Sequence, residues 1–596
     1  MKPKTLLLLI LTFSLFLDVN NSVTAHPTII KIWQNEPDED AKKVMEEIIK
    51  QFEEENDDYK IKLEIVKWHE LASKIALAVS TNDFPAISHV KPYMVYSLYK
   101  KQLLSPITEV VEKIDKYKEG GEHKEGNIIK AVKDLHYYPN YTITDNKDKD
   151  RVKKKSANKK EYFGLPYAVG IAYFAYRKDL FNKYKEECKE GCLEKWKKVC
   201  RAELREELRE ECNKEIGLPT NWGEYIKFLN FFKHIFDKKK SSQFPVLVPP
   251  GDHFLTQFTL ELLALSKTRL FGKKNCTPQF RSDGFLEVLK FWKDLSMVSP
   301  NEWISNNYSE QFKMFRDKKV ANLPITYARA LKEFDSTFDK IVKKKEIDSS
   351  NYSEILSNYY KEMDLNKNDE DKELKTVEKY ANIFFDLTDE EKKEINDHPN
   401  KNYFFLAPLK SYSGKDGYST LDSVTWVVFK KSKQVEKAKE FLKMFYEDEN
   451  YLKYTQTIPI HLIPIKKNLL PKYAKNPVIA RWKNWYYDAL KSILNEKEWS
   501  NLKEEDDLAA QYEKGKKGKQ QSYEFNKARP ILILEDGDSK IPFLFEFVNS
   551  NILARTVKMV ALEGVEPKAA AAIAQKRTEK LMKRLEVDTS NCPEKF

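Results

Sequence analysis

The chain has 596 residues, 41% of them apolar and 33% charged, which allows more than one hydrophobic core, since single cores stop growing near ~250–300 residues. Its formal charge of +11 does not mark a nucleic-acid or membrane-surface binder. The 92 acidic residues are interleaved with the 103 basic ones, and both read as solvated helix faces.

Lys2 and Lys4, an apolar run from Leu6 to Leu17, and Val23-Thr24-Ala25 before His26 read as a secretory signal peptide over residues 1–25. The run falls short of the ~20 apolar residues of a membrane span, so cleavage is expected over retention as an anchor. No cysteine precedes Cys188, and none is offered for acylation. A free periplasmic protein is therefore expected, not a lipid-anchored one.

After the leader the pattern alternates. Thr28 to Trp33 is a short β-rich run. Asp38 to Phe52 has helical spacing, with Val44, Ile48, Ile49 and Phe52 on one side. Tyr59 to Val66 alternates like a strand. Glu70 to Val79 is helical, with Leu71, Ile75, Ala78 and Val79 on one face. Pro85 to Val90 is a third strand, and Tyr93 to Tyr99 begins another helix. This βαβαβα order predicts a parallel sheet covered by helices on both faces, a doubly wound α/β lobe. Ligands of such sheets sit outside the carboxyl ends of the strands, here Trp33-Gln34-Asn35-Glu36, Lys67-Trp68-His69 and His89-Val90-Lys91.

Charge-rich stretches interrupt the pattern at Asp145–Glu161, Phe334–Pro399 and Glu496–Lys527 and read as surface insertions. Four of the six cysteines, Cys188, Cys192, Cys200 and Cys212, fall in a charged segment, 183–216. On one straight helix Cys188 and Cys212 would stand roughly 36 Å apart at about 1.5 Å per residue. Bridges among the four need a bend, and Gly191 is the obvious breaker. A disulfide-stapled helical hairpin is the favoured reading. A zinc site fits less well, because the spacings do not match zinc-finger pairs. Towards the C-terminus, Val435 to Phe445 carries Ala438, Phe441, Leu442 and Phe445 on one face, and Pro542–Leu562 and Glu566–Leu585 read as helices.

Several segments, in order, resemble the family 1 extracellular solute-binding proteins of ABC importers, the group that includes maltose-binding protein. They are Ile29-Ile30-Lys31-Ile32-Trp33, Leu71 to Asn82, Phe84-Pro85-Ala86-Ile87 (Ala86 where Asp is usual) and Leu103-Leu104-Ser105-Pro106-Ile107. Tyr162 to Tyr167, continuing through Tyr173 to Phe181, is the best match. Leu218 to Glu224, Phe315 to Asn322 (with Lys318 for Gly and Asn322 for Met), and Ser432 to Phe445 followed by Pro464-Ile465 complete the series. The resemblance implies a two-lobed periplasmic-binding-protein fold, each lobe a doubly wound, mostly parallel sheet, with charged helical insertions. It implies lobe boundaries of 26–176 and 322–424 for the first lobe, and 177–321 and 425–596 for the second. It also implies a small-molecule solute held between the lobes, an inner-membrane ABC permease as partner, and a monomer without cofactor, metal or nucleic acid.

Sugars present apolar faces and hydroxyls, so a sugar site wants flat rings with polar groups between them. Candidates at predicted strand ends of the first lobe are Trp33, Glu36, Trp68, Lys91 and Tyr93. Tyr167 and Tyr173 stand near the first crossing. Asp252, with His253 beside it, follows the turn Pro249-Pro250-Gly251; Tyr327 follows a returning strand; Asp422 and Trp426 stand at the third crossing. No G-x-S-x-G, H-E-x-x-H, P-loop or G-x-G-x-x-G signature appears, and no stretch singles out a carboxylate pair for glycoside hydrolysis. An enzyme is not expected. A non-transport sensor module and an importer component for polyol phosphates or other organic solutes remain as alternatives.

Overall fold

A computed structural model of the chain describes residues 27–119, 122–124, 126–139, 160–182, 219–248, 251–272, 276–300, 311–327 without 312 and 316, 403–406, 409–414, 419–476, 483–516, 528–530 and 541–587 without 542, with 372 and 479 as isolated positions. The leader, the segment carrying Cys188, Cys192, Cys200 and Cys212, and all of Phe334–Pro399 but Lys372 lie outside the described residues. Cys276 is disulfide-bonded.

The first lobe alternates as its periodicity predicts: β1 (Thr28–Gln34), α1 (Glu39–Glu55), β2 (Tyr59–Ile65), α2 (Trp68–Thr81), β3 (Ile87–Val90) and α3 (Pro92–Lys100), then β4 (Leu104–Ser105) and α4 (Thr108–Asp115). Asp38 starts α1 by accepting hydrogen bonds from the amides of Asp40 and Ala41, satisfying two of the helix's orphan donors. The helix buries Ala41, Val44, Met45, Ile48, Ile49 and Phe52, each large side chain contributing roughly 1.5–3 kcal/mol. Both β2 and β3 run parallel to β1, with Ile32 opposite Leu63 and Ile87. Val79 departs from expectation and is exposed. The helix α2 lies over the outermost strands of the sheet, so only a narrow stripe, Leu71, Ile75 and Ala78, is covered.

Two long strands carry the chain between lobes. The first is β5 (Leu165–Arg177). It is followed by α5 (Trp222–Lys238), β6 (Phe244–Val246), α6 (Gly251–Leu265), α7 (Asp283–Ser296), β7 (Val320–Tyr327), β8 (Tyr403–Leu406) and the second long strand, β9 (Ser419–Phe429). Together with β10 (Ala528–Pro530) the strands form a ten-stranded sheet of order β6-β7-β5-β9-β3-β1-β2, with β8 paired to β5 and β4 and β10 paired to β9. The first half of β5, Leu165–Ile171, pairs antiparallel with β9. Its second half pairs with β7 from Ala172 to Tyr176 and with β8 from Phe174 to Arg177.

This pairing corrects the lobe boundaries that the resemblance implies. Residues 322–424 were expected in the first lobe. Instead β7 is parallel to β6, beside the second half of β5, and β8 joins that same half. The chain re-enters the first lobe inside β9, where Thr425–Val428 pair with β3. Residue 425 onward was expected in the second lobe, yet α8 (Val435–Phe445) packs on α1 and α4, and Phe441 meets Phe52 edge to face at 5.5 Å. The helix α9 (Asp448–Thr455) packs there too. Lobe membership is decided by long-range hydrogen-bond partners, which strand periodicity does not carry.

The segment from Glu496 is more than solvated decoration. Helices α10 (Lys483–Ile493), α11 (Glu496–Glu505) and α12 (Asp507–Lys516) share an aromatic core of Tyr487, Trp499 and Tyr512. The run Pro542–Leu562 is two helices, α13 (Leu544–Asn549) and α14 (Ile552–Ala561), broken at Asn551 with φ of 56°. Helix α14 and α15 (Pro567–Arg584) pack on the second lobe's α7, and α14 also on α6.

At the far end of β5 the guanidinium of Arg177, 1% exposed, donates to both carboxylate oxygens of Asp179 at 2.8 and 2.6 Å and to the Phe315 carbonyl at 3.0 Å. Asp179→Ala would remove both of these charge-assisted hydrogen bonds from a buried cation. A loss of about 3–5 kcal/mol is expected, read as a lower urea midpoint with an unchanged m-value.

Candidate functional site

The carboxyl ends of β2 and β3 meet the amino end of α6, and the two lobes touch there. Trp68 opens α2 directly after β2, and its half-buried indole lies parallel to the imidazole of His253 on α6, with ring centroids 6.4 Å apart and an interplanar angle of 1°. Lys91, the residue after β3, is buried and holds its ammonium 4.7 Å from the centre of the Trp68 ring. Burial, followed by the neighbouring charges of Lys91 and His69, pushes the pKa of His253 down to about 3. The imidazole in this contact is therefore neutral at physiological pH. Asp252, its neighbour, is paired with Lys558 of α14 at 2.5 Å.

Behind this rim lies the last rung of the sheet. In the β1–β3 register Trp33 is opposite Ser88, so Gln34 comes level with His89, and His89 is opposite Trp426 across β3–β9. His89 stacks on Tyr167 at 4.5 Å and touches Trp426 at 3.6 Å between ring centres. Tyr167 is the residue that the β5–β9 register skips, between Thr425 opposite Pro166 and Val424 opposite Ala168. Such a bulge re-aims a side chain. The Asn35 amide donates to His89 Nδ1 at 3.2 Å, and Asn35 Nδ2 donates to the Val66 carbonyl at 2.7 Å.

The predicted site residues divide accordingly. Trp68 and Lys91 come together at the interlobe contact. Tyr173, Tyr327 and Asp422 are placed at the crossing: Tyr327 is opposite Ala172, Thr326 opposite Tyr173, and Asp422 opposite Gly170. The others have these surroundings. Trp33 packs under α2 with Lys74 5.1 Å from its ring, because odd-numbered residues of β1 face that helix. Glu36 is buried and accepts from the Asp38 amide at 3.0 Å, closing the turn into α1. Tyr93 and Tyr167 are buried, and Trp426 is fully buried against Phe445. The strand ends marked by the sequence contain Gln34, Asn35 and His89, but none of the three is among the candidates singled out there. The available signal was polar side chains at the ends of strands that are otherwise apolar, since buried parallel strands read as continuous apolar runs.

A family model of bacterial extracellular solute-binding proteins matches residues 47–481. The chain belongs to that family. No curated protein matches it. Solved structures show the same two-lobed fold. A solute-binding protein of an ABC transporter from Thermotoga lettingae, bound with alpha-D-tagatose, is 16% identical, with 93% of this chain and 100% of that one covered and a TM-score of 0.54. One from Agrobacterium radiobacter, in complex with ribitol, is 13% identical, with 94% and 99% covered and a TM-score of 0.54. The GacH receptor of Streptomyces glaucescens, solved unliganded and with acarbose, is 12% identical, with 94% and 99% covered and a TM-score of 0.52. Among the described residues of this solute-binding protein no helix is long and apolar enough to cross a membrane, and no group of three or more His, Cys, Asp or Glu could hold a metal ion.

The depressed pKa of His253 sets the acid response of the interlobe contact. A separated His253 would titrate near the ordinary value of ~6.5. The contact is at full strength above that pH and weakens as pH falls towards 3, because only the separated state takes up the proton. At pH 5 the equilibrium is expected to shift about 30-fold towards separation. Small-angle scattering checks this: the radius of gyration should rise between pH 7 and 5, and stay flat in His253→Gln.

Proposed function

We propose that this protein is the capture component of an ABC-type importer, released into the periplasm by its leader. It takes a carbohydrate-like solute between its lobes and delivers it, as a monomer, to a membrane permease. The carrying observation is the meeting of Trp68 and Lys91 from one lobe with His253 from the other at the carboxyl ends of β2 and β3. A flat indole with a cation and an imidazole around it suits the apolar face and hydroxyls of a sugar ring. A ligand favours closure only by touching both lobes, and hinge motion about a few strand residues is the established way for such lobes to close. The crossing strands β5 and β9, where β5 changes partner between Ile171 and Ala172, supply that hinge. Tyr173, Tyr327 and Asp422 stand on neighbouring strands at this crossing. The solutes held by the tagatose and ribitol proteins support the sugar or polyol class.

Thermal-shift screening of the mature protein against sugars, polyols and their phosphorylated forms tests the reading. A solute at about 100 times its dissociation constant should add ~2.7 kcal/mol. Trp68→Ala should weaken that solute about 10- to 100-fold through the lost ring burial, while leaving the unliganded protein folded. Failure of every class in the screen would reject the carbohydrate reading.

A further inference from the structure

The last rung of the first lobe's sheet holds polar atoms that the protein does not use. Gln34 Oε1, Asn35 Oδ1, His89 Nε2 and Trp426 Nε1 are buried and have no hydrogen-bond partner among the described residues. An unmet buried polar group costs about 1–3 kcal/mol, so four in one place are not incidental to the fold. A second histidine in the same lobe gives the contrast. His136 is equally buried, but its Nε2 meets Thr425 Oγ1 at 3.1 Å and its Nδ1 meets the Tyr138 hydroxyl at 3.3 Å. His89 is satisfied on Nδ1 alone, by the Asn35 amide. That bond fixes the tautomer and leaves an Nε2–H donor unspent.

The second lobe brings a fifth such atom. Thr256 Oγ1, on α6, is buried and has no hydrogen-bond partner among the described residues. Thr256 stands three residues after His253, and residues at that spacing share a helix face. His253 turns that face to the first lobe, and α6 also packs on β9, the strand of Trp426.

We propose that Gln34, Asn35, His89 and Trp426, with Thr256 from the facing lobe, form a hydroxyl-recognition subsite for a neutral polyhydroxylated solute. The inference rests on the interlobe cleft as the binding site and names what the cleft selects. The atoms decide the class. Two are acceptors, Gln34 Oε1 and Asn35 Oδ1. Two are donors, His89 Nε2–H and Trp426 Nε1–H. Thr256 Oγ can do either. A neutral group that donates and accepts at once, as a hydroxyl does, uses such a mixed set. A carboxylate or phosphate oxygen would face two lone-pair acceptors, and an ammonium would leave both donors unmet. None of the five side chains carries a charge: burial holds the pKa of His89 well below its ordinary value. Lys91 stands two residues beyond His89 and lies over the Trp68 ring. The rim contact of Trp68 with His253 therefore stands beside the rung.

Isothermal titration calorimetry on the whole mature protein tests this, with ribitol, tagatose and maltose as neutral probes and gluconate and glucose 6-phosphate as charged ones. The expected result is binding of a neutral probe, weakened about three- to tenfold in Thr256→Val and at least as much in His89→Phe. The unliganded melting temperature of Thr256→Val should be unchanged or higher, since the substitution removes a polar atom that has no partner among the described residues. If His89→Phe does not fold, Thr256→Val decides alone. Unchanged affinity in the variants would mean that the rung holds structural water only and would overturn the subsite while leaving the cleft reading intact. So would binding of a charged probe in preference to every neutral one. Binding of no probe at all would reject the carbohydrate reading, and the subsite with it.

Discussion

The architecture depends on one antiparallel pair, β5 against β9. The first half of β5 completes the sheet of one lobe, and its second half starts the sheet of the other. A strand cannot give up its ladder without leaving buried amides and carbonyls unpaired, so the change of partner has to be immediate. It takes place between Ile171, opposite Leu421, and Ala172, opposite Tyr327. Close cover guards the approach to this point. At Gly170 a Cβ would stand 2.9 Å from the His461 carbonyl oxygen, and the neighbouring Val169 exchanges backbone hydrogen bonds with Ile463. The loop that lies over the crossing thus requires glycine beneath it and leaves the strand pair little room except to twist.

Legibility in the sequence followed the range of the interactions. The first three strands and helices of the chain are local: each apolar period is short, each helix has a recognisable start, and the parallel sheet follows from the alternation of types. The return path is not local. Val320–Tyr327 reads as a strand in isolation, but whether it joins the first or the second lobe depends on the partners of β6 and β5, some 75 and 150 residues away by the register of Phe244 with Val320 and Ala172 with Tyr327. The Tyr167 bulge is likewise invisible in the sequence, since Pro166-Tyr167-Ala168 could continue a regular strand.

The candidate site was legible in position more than in residue. The strand-end loops after β2 and β3 meet the second lobe at His253, yet the choice among the aromatics turned on which sheet face a helix covers. Trp33 and Trp68 are both tryptophans at strand ends. Trp33 lies inside β1 on the α2 side and is sealed by that helix, while Trp68 is the first residue of the same helix and projects from its amino end towards His253. Aromatic character alone did not separate them. The more informative residues were polar ones in apolar strands, Gln34 and His89, because a buried polar side chain has to be accounted for and a buried tryptophan does not.

A second bridge constrains how the lobes can separate. Glu546 of α13 accepts from Lys101 and, at 3.3 Å, from Ser97, both at the far end of the first lobe's α3. On the other side, Phe543 and Phe547 pack edge to face on Phe271 of the second lobe at 5.2 Å. The Lys101 pair is half-exposed and worth about 0–1 kcal/mol, so the bridge rests on its phenylalanines. The helix α3 starts beside Lys91 and runs away from the cleft, which puts Ser97 and Lys101 about 9–15 Å from that end at ~1.5 Å per residue. Two connections held apart define an axis, and motion about an axis moves most what lies farthest from it. The Trp68–His253 contact is tied by neither connection. It carries one offset ring pair and a neutral imidazole, with no ion pair between Trp68 and His253 to break. The contact between Trp68 and His253 therefore rests on ring packing and not on a salt link between the two rings.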